Sequence, residues 1–168
     1  MCYAISLVVQ NWEVMRESLS MQLTIHTDGG ARGNPGPAAV GVVIEGKTSK
    51  GSNSNNVQIE FGKKIGETTN NVAEYTAVIE ALRAVKDLGK EVEVGIVSEN
   101  EVIFLLDSTL VVNQINGVFK VKESHLRQLL FEVHALETEV GGKISYTYVP
   151  RAMNSRADFF VNKALDTP

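Results

Sequence analysis

The chain has 168 residues, 43% of them hydrophobic and 21% charged, the profile of an ordinary globule of one domain with room for a packed core. Sixteen Lys and Arg stand against twenty Asp and Glu, a net charge of −4. Bulk positive charge therefore supplies no affinity for nucleic acid, although divalent cations gathered in an acidic site would reverse the sign locally. One cysteine, Cys2, excludes an internal disulfide, and no apolar run nears the roughly 20 residues of a membrane span. The first residues, MCYAISLVVQNW, lack a basic leader and a small-residue cleavage site, so a cytoplasmic protein with no membrane partner is expected.

Residues 1–20 read as a separable, non-essential extension, because Met21 offers a second start and a strand pattern, Gln22–Thr27, follows at once. Residues 21–28 alternate as a first strand. The segment 29–37, GGARGNPGP, holds four glycines and two prolines and reads as loop. Residues 38–46 read as a second strand, 46–56 as a turn rich in Gly, Ser and Asn, and 57–66 as a third strand, together an antiparallel meander. Over 71–88 the period changes. Val78, Ala81, Leu82, Val85 and Leu88 recur at helical steps, and Gly89 marks the stop. The segment 91–100, EVEVGIVSEN, reads as an inserted strand or hairpin arm. Val102–Leu106 is a buried strand, 108–116 a short helix ended by Gly117, 123–140 a longer helix, 143–149 a strand and 155–166 a last helix. The order β-β-β-α-β-α-α-β-α predicts an α/β fold, a mixed sheet covered by helices.

Four acids fall at strand ends or helix starts: Asp28, Glu74, Asp107 and Asp158. Each has an ordinary explanation. Asp28 suits a turn in Asp-Gly-Gly. Glu74 could answer Asn71 in a capping box, Asp107 could cap the 108–116 helix, and Asp158 could answer Ser155. Glu74 resists its explanation, since Val78, Ala81 and Val85 follow at i+4, i+7 and i+11 and place it on the apolar face. A carboxylate there costs several kcal/mol unless it is paired or metal-bound. Four such acids on elements able to pack as neighbours suggest a carboxylate cage for divalent metal.

The framing motifs, TDGGARGNPGPAAVG, TTNNVAEYTAVIEAL, LDSTLVVNQING and NSRAD, resemble those of type 1 ribonuclease H from about residue 21 to 165. The chain looks like the compact branch that lacks a basic handle. The resemblance implies a ribonuclease H-like five-stranded mixed sheet, three antiparallel strands then two parallel, flanked by helices. It implies endonucleolytic, two-metal-ion hydrolysis of the RNA strand of RNA–DNA hybrids, leaving 5′-phosphate and 3′-hydroxyl ends. Asp28, Glu74, Asp107 and Asp158 would hold two Mg2+ ions, with Mn2+ able to substitute. Gly29, Asn34, Asn70 and Asn71 would meet RNA in the minor groove, and Thr69 a phosphate of the DNA strand. Ser108, Asn154 and Arg156 would line the cleft. A monomer is expected.

Two departures stand out. Many members carry a histidine in the loop before the last aspartate, but 150–157 has none, and His26, His125 and His134 lie elsewhere. His26 reads as a packing residue, and Arg151 stays protonated and cannot act as a base. After Gly117, Lys120 and Lys122 are the only nearby cations where a basic handle would be. Three other readings compete: a hybrid-binding module that does not cut, another metal nuclease of related architecture, and a phosphate loop in GGARGNPG. Asp28-Gly29-Gly30 lacks the Asp-x-Glu of the second, and no Gly-Lys-Ser/Thr supports the third.

Overall fold

The computed structural model describes residues 19–50, 53–91 and 100–167. Among these, five strands form one sheet: β1 (Leu19–Ala31), β2 (Gly36–Lys50), β3 (Asn53–Thr68), β4 (Glu101–Leu106) and β5 (Lys143–Tyr148). Four helices accompany them: α1 (Asn70–Glu91), α2 (Thr109–Ile115), α3 (Ser124–Val140) and α4 (Ser155–Asp166), with a 3-10 turn at Arg151–Met153. The strand order is β3-β2-β1-β4-β5. The first three strands pair antiparallel, while β1–β4 and β4–β5 are parallel. Parallel neighbours need a crossover, and the helices between these strands supply it.

The period of two sends Leu23 and Ile25 of β1 into the core, with Thr24 and His26 only half-buried. Val78, Ala81, Leu82 and Val85 of α1 meet them, and α3 packs through Leu126, Val133 and Leu136. The other face of β1–β3 is covered by α4, which approaches very closely. A Cβ added at Gly41 would lie 2.1 Å from the carbonyl oxygen of Ala157, so only glycine fits there. No helix among the described residues is long and apolar enough to cross a membrane.

Several boundaries depart from expectation. The loop at 29–37 is shorter, because β1 runs on to Ala31 and β2 starts at Gly36. Most of the expected turn at 46–56 is ladder, with Lys47 opposite Asn56 and Lys50 opposite Asn53. Asn, Ser and Gly disfavour strands, but backbone groups pair regardless of side chain once the hairpin register is set. The helix α1 passes Gly89 and ends at Glu91. Of the expected extension, Leu19 and Ser20 belong to β1, opposite Lys50 and Ser49, and residues 1–18 lie outside the described residues. So do residues 92–99, which carry most of the expected insertion.

Candidate metal centre

Parallel pairing of β1 with β4 ends at Thr27 beside Leu106, so the next residues, Asp28 and Asp107, emerge together at the carboxyl end of β4, where β1 continues paired to β2 alone. This edge is where open α/β sheets bind ligands. The start of α1 lies against the same edge. A Cβ on Gly29 would sit 2.2 Å from the carbonyl carbon of Ala73, so the glycine lets the first turn of α1 rest on β1. Glu74 follows at once and faces the two aspartates.

Polar residues fasten this junction. The Asn70 side-chain oxygen accepts from the Ala31 amide at 2.8 Å, and the Asn34 oxygen accepts from the Asn70 amide at 3.2 Å. Thr69, rather than Asn71, caps α1, its hydroxyl accepting from the Val72 amide at 3.4 Å. The capping-box explanation of Glu74 therefore falls away. Ser108 caps α2 by accepting from the Val111 amide, which leaves Asp107 free of that duty. Asn154 occupies the N-cap position of α4, so Asp158 is no partner in a Ser155 box.

Carboxylate oxygens of Asp28, Glu74 and Asp107 all lie within 4.8 Å of one another. Asp158 lines the same cavity of about 270 Å3, together with Asn70, Arg151 and Asn162. It stands slightly apart from the other three. Arg151 Nη2 donates to Asp158 Oδ1 at 2.7 Å, and Asn162 Nδ2 donates to Asp158 Oδ2 at 3.0 Å.

The electrostatics are those of a site short of positive charge. Burial, and then the charges of Asp28 and Asp107, push the Glu74 carboxyl up to about 9, with Arg151 opposing. Burial, then Asp107 and Asp158, raise Asp28 to about 6, against Arg151 and the Gly29 amide. Oε2 of Glu74 is buried without a hydrogen-bond partner. A buried polar oxygen left unpaired costs about 1–3 kcal/mol and calls for a partner. An all-oxygen donor set of clustered carboxylates suits a hard divalent cation. The residues present therefore fit a metal.

Two of the expected substrate contacts lie outside the cavity lining. Asn154 is 1% exposed, and its amide nitrogen donates to Asp107 Oδ1 at 2.7 Å and to the Thr27 carbonyl at 2.9 Å. Its side chain is committed to these partners in the interior. Arg156 is exposed on α4, pairs with Glu45 of β2 and Glu60 of β3, and is not among the residues lining the cavity. The exposed His125 and His134 lie on α3, with His134 paired to Glu137 at 2.7 Å. Arg151, excluded as a base by its permanent charge, and Asn162, which no motif marks, join the acids in this cavity. The i, i+4 step from Asp158 to Asn162 is a visible signal for the second. For Arg151 the signal was weaker, one of two arginines in the segment before the last acid.

A family model described as reverse transcriptase-like matches residues 26–164. Ribonuclease HI of Halobacterium salinarum is 37% identical over 171 residues, covering 98% of this chain and 77% of that protein. A bifunctional protein of Mycobacterium tuberculosis is 39% identical over 146 residues; the match covers 87% of this chain but only 36% of the mycobacterial protein's length. Among solved structures, LC11-RNase H1 in complex with RNA/DNA hybrid matches with a TM-score of 0.73 and 41% identity, over 86% of this chain and 97% of that one. RNase H1 from Halobacterium salinarum matches with a TM-score of 0.70 and 37% identity, over 88% and 98%.

Proposed function

The chain belongs to the type 1 ribonuclease H family, and from that premise we propose that it cuts the RNA strand of RNA–DNA hybrids at internal phosphodiesters, leaving 5′-phosphate and 3′-hydroxyl ends. One observation carries the reading: three carboxylates converge within 4.8 Å, and one of them presents a buried oxygen with no partner. A relative of 41% identity has been solved with hybrid bound, which supports the same substrate here.

Asp28, Glu74 and Asp107 bind divalent metal, with Asp158 completing a two-ion site. Mg2+ is the resident ion, and Mn2+ can replace it. Bound there, the metal supplies charge neutralisation at the scissile phosphate and a more acidic water. The chain does the rest. Asn154 holds the Asp107 carboxylate in one orientation through its 2.7 Å bond. Arg151 brings a permanent positive charge to the cavity and, on release from Asp158, can hold a phosphate oxygen. Asn34, Asn70 and Asn71, with the Gly29 backbone, meet the RNA strand in the minor groove, where a 2′-hydroxyl separates RNA from DNA. Thr69 holds a DNA-strand phosphate, and Ser108 borders the cleft. Asn154 acts on the site through Asp107, and Arg156, exposed on α4, stays with Ser108 as a residue bordering the cleft. The protein works as a cytoplasmic monomer, and the residues before β1, 1–18, are dispensable.

The test is a substrate panel of hybrid, duplex DNA, duplex RNA and each single strand, each with Mg2+, with Mn2+ or with chelator. Cleavage of the RNA in hybrid alone, only with metal, is expected. Cleavage of duplex DNA at a similar rate would overturn the assignment.

A further inference from the structure

His26 sits on β1 two residues before Asp28, on the same face of the strand by the period of two. It is half-buried between Val43 of β2 and Leu105 of β4. The mechanism above gives it no task. Its Nδ1 lies 3.3 Å from Oδ1 of Asn154. The same Asn154 spends its amide nitrogen on Asp107 Oδ1 at 2.7 Å and on the Thr27 carbonyl at 2.9 Å.

The two ends of an amide look alike in outline, so the hydrogen bonds must decide between them. Turning Asn154 over would point its oxygen at two acceptors, the Thr27 carbonyl and the Asp107 carboxylate, and would break both hydrogen bonds. The nitrogen therefore faces Asp107, and both of its N–H groups are used. Its oxygen, an acceptor only, faces His26. The atom opposite it must donate, so Nδ1 of His26 carries a proton.

We propose that His26 is a positioning residue for the metal centre: its Nδ1–H fixes the orientation of the Asn154 amide, and Asn154 in turn fixes the Asp107 carboxylate. This rests on the reading of Asp107 as a metal ligand. Outer groups that orient a ligand are worth about 10–100-fold in metal affinity or activity, and His26 acts through one intermediary, so about tenfold is expected.

The first measurement uses the wild-type protein. Long-range proton–nitrogen NMR correlations of the His26 ring should show Nδ1 protonated, and a ring protonated only on Nε2 overturns the relay. The second compares His26→Phe, which keeps a ring but no donor, with His26→Asn, which places an amide near the Nδ1 position but has no ring. Mn2+ affinity is read by calorimetry without substrate, and kcat and KM on hybrid are read in parallel. The relay predicts that His26→Phe binds Mn2+ about tenfold more weakly and loses kcat at unchanged KM, while His26→Asn recovers most of both. A packing role alone predicts the reverse order, with Phe near wild type and Asn impaired, and that result overturns the proposal. Asp107→Asn runs alongside. If it binds Mn2+ and cleaves like wild type, the ligand reading of Asp107 fails. If it is dead while His26→Phe matches wild type, only the relay fails.

Discussion

Changing Glu74 to Gln should stabilise the metal-free protein while destroying its metal centre. In the folded chain, burial and the neighbouring aspartates raise Glu74 from 4.5 to about 9. Between those values the folded state holds a proton that the unfolded state has released. Stability therefore falls as pH rises through that window, by about 1.4 kcal/mol for each pH unit. At pH 7 the accumulated cost is about 3 kcal/mol, and near pH 4 it vanishes. Gln has no proton to lose, so the variant escapes the cost. For a chain of this length the gain corresponds to roughly 6–12 °C in Tm at pH 7. Thermal unfolding in chelator at pH 4, 5.5, 7 and 8.5 would show the two curves meeting at acid pH and diverging upward. Adding Mg2+ should reverse the order, because an ion that binds only the folded wild type raises its Tm. Parallel pH profiles for the two proteins, or equal Mg2+ shifts, would refute the reasoning.

Three further expectations follow from the same geometry. Gly29→Ala drives a methyl into the Ala73 carbonyl carbon, 2.2 Å away, and should cost about 3 kcal/mol in urea unfolding; an unchanged midpoint would contradict the close approach of α1 to β1. Lys120→Ala with Lys122→Ala removes two exposed cations, so hybrid affinity should fall and the slope of log K against log salt should flatten by about 1–2. A slope that does not move takes both lysines out of the interface. His125→Ala and His134→Ala should each keep wild-type kcat, because neither residue lines the acidic cavity, and a tenfold loss in either would show a missing catalytic group.

Much of this architecture was visible in the residues themselves. Alternation in Leu23–Ile25 and helical spacing from Val78 to Val85 located β1 and α1, because burial on one face writes its period into the chain. The acids stood out because Glu74 broke the apolar pattern of its own helix. Other features have no local signature. The pairing of Lys47–Lys50 with Asn53–Asn56 is carried by backbone hydrogen bonds, which composition does not record. The inward turn of Asn154 depends on the distant Thr27 and Asp107, 127 and 47 residues away in sequence. Arg151 joins the acids only because the 3-10 turn brings it back to Asp158. Long-range geometry of this kind appears only when the sheet is assembled.

The most direct measurement is hydrolysis of a hybrid labelled on its RNA strand, by wild type and by Asp107→Asn, with Mg2+ and with chelator. The wild type with Mg2+ should release internal RNA fragments ending in 3′-hydroxyl, and the other three combinations should leave the strand intact. Equal cutting by Asp107→Asn, or cutting in chelator, would contradict a carboxylate-held metal as the seat of the chemistry.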